Sequence, residues 1–315
     1  MAKPVLVDVH MHLYESKTLG EWWKQKYEIW EYGQRPASVR FSRYGGDLED
    51  ALRAMTEAGF TRAVSVNLFA RDLAREEAII GLPATLQHAE RETAIAEIDR
   101  TMPERLRAFN RWACDLVAGT PITPYVGIDP WVLGPEEGAR HLRDMVENHG
   151  ARGIKLHPVV QRFRMDDPRM LPIYRACVDL GIVVLAHSGP ARGGEPFGEP
   201  RGFGEVLRAF PDLTLVLAHM GGGAWTQALE LAQSFPNACF DCCEIIEWAG
   251  AERAPTDQDL ARLIQTIGSD RVMLGTDFPW YDLDRTAERV MALPLLSQEQ
   301  KEAILGQNAV RILRL

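Results

Sequence analysis

Along the chain, short apolar runs rich in β-branched residues alternate with longer stretches in which apolar residues recur every three to four positions. Eight runs read as strands: 5–9, 63–67, 122–128, 153–156, 182–186, 213–218, 238–242 and 272–275. Helical periodicity fills the gaps, for example over 47–58, 136–149, 170–180, 225–235 and 257–267. Gly134-Pro135 opens one helix with proline near its first position, and Gly150 and Gly181 stand where helices end. Near-continuous apolar strands that alternate with helices imply a parallel sheet covered on both faces. Eight such units predict a (β/α)8 TIM barrel, read as one domain over residues 1–315.

Two stretches are longer than a barrel needs. Residues 13–46 and 69–102 leave the ends of the first and second strands, and are expected as long βα-loop insertions over the catalytic face. The first carries Trp22, Trp23, Tyr27, Trp30, Tyr32, Phe41 and Tyr44. It reads equally as a lid over an aromatic-lined pocket or as a satellite core or dimer surface.

Composition narrows the function. The longest apolar runs fall far short of the ~20 residues of a membrane span. The formal charge of −9, with scattered cations, argues against a nucleic-acid partner. Five cysteines and no apolar leader segment suggest free thiols in a reducing cytoplasm. The Cys239-x-x-Cys242 pair lies in a strand, where residues three apart face opposite sides, so buried thiols are expected there rather than zinc. Of 35 basic residues only six are lysine, and between Lys26 and Lys301 only Lys155 occurs. A small-molecule substrate and a possible homo-oligomer complete the expectation.

Chemistry gathers at the strand ends. The first strand runs into His10-Met11-His12 instead of a glycine-rich phosphate loop, which argues against a dinucleotide-binding fold. His157, His187 and His219 also end strands, as does Asp277 in Gly-Thr-Asp-Phe-Pro-Trp. His88, His141 and His149 fall in polar helical stretches and are expected to be solvated. His10 and His12, two apart on one strand, point to one side and can chelate a metal. Imidazole and carboxylate suit zinc, which makes hydroxide available from bound water near pH 7.

The segments Val-Asp-Val-His-Met-His, Gly-Ile-Lys-Leu-His-Pro, Leu-Ala-His-Ser-Gly, Leu-Ala-His-Met-Gly-Gly and Gly-Thr-Asp-Phe-Pro-Trp together resemble the amidohydrolase superfamily. Within it, they are similar to the amidohydrolase-related group that includes aminocarboxymuconate-semialdehyde decarboxylase. The resemblance implies a divalent metal, Zn2+ or another such as Mn2+, on His10, His12, His187 and Asp277. It implies His219 as an acid/base or polarising group. Lys155 stands where binuclear members carry a carboxylated lysine, whereas the related decarboxylases are usually mononuclear, so one metal is favoured over two. Lys155 is expected to point into the barrel mouth as a catalytic group.

Around this set, Arg192 and Trp280 are candidate substrate contacts, with Glu244 also at the mouth. Arg43, Arg71 and Arg201 read as surface charges, and the Gly221–Gly223 run as a tight turn. His157 and Asp8 are expected to support the site by hydrogen bonds, Asp8 from deeper in the barrel. The leading expectation is metal-dependent hydrolysis, with Asp277 accepting a proton from the attacking water. The alternative is non-oxidative decarboxylation of a small carboxylate.

Overall fold

The computed structural model describes residues 5–27, 39–191, 193–252 and 254–315. Eight strands occupy the apolar runs: β1 (Val7–Met11), β2 (Arg62–Val66), β3 (Ile122–Gly127), β4 (Gly153–Leu156), β5 (Val183–His187), β6 (Leu215–Ala218), β7 (Ala238–Asp241) and β8 (Val272–Met273). They pair in sequence order, every neighbour parallel. The ring returns to its start where Val9 N donates to Leu274 O at 3.0 Å and His12 N to Phe278 O at 2.6 Å, with Met11 bridged to Phe278. The architecture is the (β/α)8 barrel.

Alternation along the strands sorts two apolar layers. Val64, Val66, Tyr125, Val183, Leu185, Val216, Ala218 and Met273 cluster together. Their neighbours Ala63, Ile154, Val184, Ala186, Leu215, Leu217 and Val272 join the larger core that meets the helices. Lys155 lies between Ile154 and Leu156 of that outer layer and so faces the barrel interior. Helices begin and end as their sequences dictate. Asp47 caps Leu48–Ala58 through Asp50 N, and Gly150 and Gly181 close their helices at φ 78° and 63°. No described helix is long and apolar enough to cross a membrane.

Between β2 and β3 the chain forms three helices, Arg71–Ile80, His88–Arg100 and Met102–Val117. Phe69, Ile98, Met102 and Leu106 give this part a small core of its own. After β1, helix Lys17–Tyr27 carries Trp22 and Trp23, packed edge to face at 4.9 Å with Lys26 over Trp22. Trp23 faces a cavity at the barrel mouth, Tyr44 joins the main core, and Phe41 packs beside Trp280 and Tyr281. The aromatic stretch thus serves partly as pocket wall and partly as core. The Tyr27 side chain, Trp30 and Tyr32 lie outside the described residues. All five cysteines are free thiols, and all but Cys239 are buried.

One expectation is corrected. His141 is not solvated but 5% exposed, and its Nε2 accepts from Asn110 Nδ2 at 3.0 Å. Asn110 also donates to Gly127 O and accepts from Gly127 N, so helix Met102–Val117 is tied both to β3 and to the next helix, Pro135–His149. The helical period of that next helix explains the burial, since Leu142 and Met145 share the inward face. Burial and the nearby Arg107 lower the His141 pKa from 6.5 to about 4. An unfolded chain takes up this proton near 6.5, the folded chain only near 4. Between those values the unfolded state binds more protons, so stability falls as pH falls. His141→Gln, which keeps an acceptor for Asn110, is expected to show a shallower loss of stability from pH 6.5 to 4 in urea titrations. An unchanged slope would show that His141 titrates normally in the folded protein.

Candidate active site

The site starts from an irregularity in β1. The β1–β2 ladder slips by one residue between Asp8 and Met11, the mark of a bulge, which re-aims the side chains that follow. His10 and His12 then converge on Asp277 beyond β8. Their Nε2 atoms lie 3.5 and 3.1 Å from Asp277 Oδ1. The donor atoms of these three residues all fall within 4.8 Å of one another. Two imidazole nitrogens and one carboxylate at this spacing are a donor set that fits a divalent metal.

Supporting contacts settle which nitrogen of His10 is available. Its Nδ1–H is donated to Asp241 Oδ2 at 3.0 Å, so Nε2 carries the lone pair, which accepts from Lys155 Nζ at 2.8 Å. Lys155 is 1% exposed. Asp241 also accepts from the backbone N–H of His219 and of Cys243, at 2.9 and 3.2 Å. Burial alone would raise the Asp241 pKa, but His10 and His219 outweigh it and hold the carboxyl at about 2. Burial works against Asp277 in the same way, and the imidazoles of His10 and His12 keep it ionised. The same burial lowers His10, His12 and His187, leaving them neutral, and brings His219 to about 4.

His187 borders the same cavity, with its ring stacked on His157 at 3.8 Å and 4.8 Å from the His219 ring. It stands across from the His10–His12–Asp277 group rather than within it. His219 Nδ1 lies 3.3 Å from Glu244 Oε2 and 3.0 Å from Cys243 Sγ. Cys243 Sγ is also 3.1 Å from His10 Nδ1. The Gly221–Gly223 run turns as expected, Gly221 N donating to Ser188 Oγ at 3.0 Å. His219, Glu244 and Asp277 all have φ near +60°, a region that costs a non-glycine residue about 1–3 kcal/mol.

A cavity of about 580 Å³ opens over this floor. Trp23, Phe69, Phe109, Trp112 and Trp280 line its walls, with Trp280 edge-on to His12 at 5.4 Å. A second cavity of about 1000 Å³ meets the first at His187, His219 and Glu244.

Other candidates fall elsewhere. Arg192 lies outside the described residues. Arg43, Arg71 and Arg201 pair with Glu57, Asp72 and Glu230 away from the donor set. Asp8 does lie deeper, but it does not touch the His10 ring. It accepts from the backbone N–H of His10 and Thr276 and from the Thr276 hydroxyl, tying β1 to the segment after β8. Burial pushes its pKa up to about 7. The residue that orients His10 is Asp241, which the sequence reading passed over. Its signal was an acid ending β7 in Ala-Cys-Phe-Asp, the same strand-end placement that singled out the histidines.

An eight-stranded barrel with a histidine and carboxylate centre at its strand ends is a recognisable class of enzyme scaffold. The chain belongs to the amidohydrolase family, whose family model matches residues 7–315. A 2-amino-3-carboxymuconate-6-semialdehyde decarboxylase from Dictyostelium discoideum is 26% identical over 210 residues, 57% of this chain and 58% of that protein. The match thus spans less than two thirds of that relative's length. An uncharacterized TIM-barrel protein from Bordetella bronchiseptica is 21% identical, each chain covering 98% of the other, with TM-score 0.69. A dihydroxybenzoic acid decarboxylase from Polaromonas, solved with bound manganese and an inhibitor, is 17% identical over 99% of this chain and 97% of that one, with TM-score 0.67. The two solved structures share the fold.

Asp241→Asn leaves the volume at β7 unchanged but removes the charge that fixes the His10 tautomer. It is expected to weaken divalent-metal affinity by about 10–100-fold, the range for groups that orient a ligand from behind. Metal titration of the folded variant checks this, and wild-type affinity would remove Asp241 from the site's support.

Proposed function

We propose that the protein is a divalent-metal-dependent, non-oxidative decarboxylase of a small carboxylate substrate. The observation that carries this reading is Lys155, a buried base 2.8 Å from His10 Nε2 in the floor of a cavity walled by aromatic rings. A buried hydrogen-bond donor there suits a substrate carboxylate, and the aromatic walls suit a planar body. The relatives named as decarboxylases support the same branch. This reverses the order of the two expectations, in which hydrolysis stood first.

His10, His12 and Asp277 would hold one metal ion, Mn2+ or Zn2+, with His187 approaching from the opposite wall. The ion supplies Lewis-acid charge to a substrate oxygen when bound. The protein's own groups do the rest. Asp241 keeps the His10 Nε2 lone pair facing the cavity. Lys155 donates hydrogen bonds to an oxygen of the substrate and fixes its orientation. Trp23, Phe109, Trp112 and Trp280 hold the substrate body and exclude water. Decarboxylation breaks the bond to the carboxylate carbon, leaves the electron pair on the substrate, and requires one proton at that carbon. In this proposal His219 delivers it. With Nδ1 engaged by Glu244, its Nε2 is the nitrogen left for substrate. It is neutral at rest, so it first takes up the proton from a substrate hydroxyl or from water.

The test is carbon dioxide release from planar carboxylates by the metal-loaded protein, run beside lactone and amide substrates. His219→Asn is expected to keep about one metal per chain and lose about 10²–10⁴-fold in rate. Water-dependent ring or amide cleavage without carbon dioxide release would overturn the decarboxylase reading in favour of hydrolysis. Lys155→Arg is expected to cost nearly as much activity as Lys155→Ala, because a planar guanidinium cannot occupy the space of a compact amine. A fully active Arg variant would remove Lys155 from the reaction.

A further inference from the structure

The mouth contains a buried amide that no part of the reaction scheme uses. Gln161 ends the short helix Pro158–Gln161 after β4 and is 3% exposed. Its Nε2 donates to Phe69 O and to Ile128 O, both at 2.7 Å. Its Oε1 accepts from His157 N at 2.8 Å. Two carbonyls must face the NH2 and one N–H must face the oxygen, so only one orientation of the amide satisfies all three partners. Phe69 follows β2, Ile128 follows β3 and His157 follows β4. One side chain therefore joins three successive βα loops at the catalytic end of the barrel.

What hangs on this junction is His187. The His157 backbone is held from both sides, its N–H by Gln161 Oε1 and its C=O by Gln161 N at 2.9 Å. Its Nδ1 accepts from Val160 N at 3.4 Å, which limits rotation of the ring. That ring lies flat on His187, centroids 3.8 Å apart and planes 10° from parallel. Trp131 adds a further constraint, its Nε1 donating to Gln161 O at 2.9 Å. The chain of contact runs from the Gln161 amide to the His157 backbone, to the His157 ring, to the His187 ring.

Resting on the metal reading above, we propose that Gln161 is a positioning residue for the metal centre: it sets the plane of His187 through the stacked ring of His157. The stack needs a flat ring, so a side chain without one cannot replace His157.

The experiment measures Mn2+ affinity of metal-stripped protein by the electron paramagnetic resonance signal of free Mn2+. Folding of each variant is verified by circular dichroism and a thermal melt. Gln161→Met matches the length of glutamine and removes all three hydrogen bonds. It is expected to weaken Mn2+ binding by about 10–100-fold in the folded protein. His157→Ala is expected to fall as Gln161→Met does. The Co2+-loaded Gln161→Met protein should show a shifted visible absorption band, reporting an altered ligand field. A purely structural glutamine would lower the melting temperature and leave both the affinity of the folded protein and the Co2+ band unmoved, and that result overturns the proposal. So does wild-type affinity in folded His157→Ala. Wild-type protein that binds no Mn2+ would instead overturn the metal reading itself, and this inference with it.

Discussion

The mouth of the barrel buries its histidines and aspartates, and that one constraint governs their chemistry. Imidazolium in such a place would lack hydration, so burial keeps His10, His12, His187 and His219 neutral. A neutral imidazole offers a lone pair, which is what a metal or a proton needs. The carboxylates respond differently to the same burial. Asp241 and Asp277 stay ionised because imidazoles surround them, Asp241 through the Nδ1–H of His10 and Asp277 through His10 and His12. Asp8, whose partners are a hydroxyl and two backbone N–H groups, is pushed toward neutrality. Of these three aspartates, Asp8 thus differs from Asp241 and Asp277 by virtue of what faces it.

Holding so many polar groups in fixed geometry requires support from behind. Asp241 binds a ring nitrogen of His10 and the backbone of His219 and Cys243 together, so two sides of the site share one anchor. Asp8 locks β1 to the segment after β8, where Asp277 follows. Three strand-end residues, His219, Glu244 and Asp277, sit at positive φ, which persists only where the surroundings over-determine it. These contacts cross from one end of the chain to the other, and the barrel's closure between β1 and β8 is what brings them within reach.

The ligand set alone leaves hydrolysis and decarboxylation equal, and the proposed decarboxylation leans on the pairing of Lys155 with an aromatic-walled cavity. Hydrolysis and decarboxylation can draw on the same histidines and aspartate, so the decision falls to what recognises the substrate. In that proposal a buried amine beside the donor set recognises an anionic substrate, while Arg43, Arg71 and Arg201 are engaged with Glu57, Asp72 and Glu230.

Much of this was legible in the chain itself because barrel strands are local. Most positions in the apolar runs are buried, whichever face they point to, so the pattern survives in sequence, and the residues that end the runs fall at the catalytic rim by geometry alone. That is why His10, His12, His187, His219 and Asp277 could be named, and why the solitary Lys155 stood out in an arginine-rich chain. Which second atom each of them touches was not legible, because the partner lies many residues away: Asp241 on the His10 ring, Asn110 on a histidine that looked solvated, Gln161 beneath three loops. Nor does sequence tell that Asp241 orients a histidine ring while Asp8, an acid of another strand, binds only backbone and a hydroxyl. Local pattern fixes which residues reach the rim of a barrel; the protonation state, tautomer and orientation of each are set by neighbours that only the closed ring assembles.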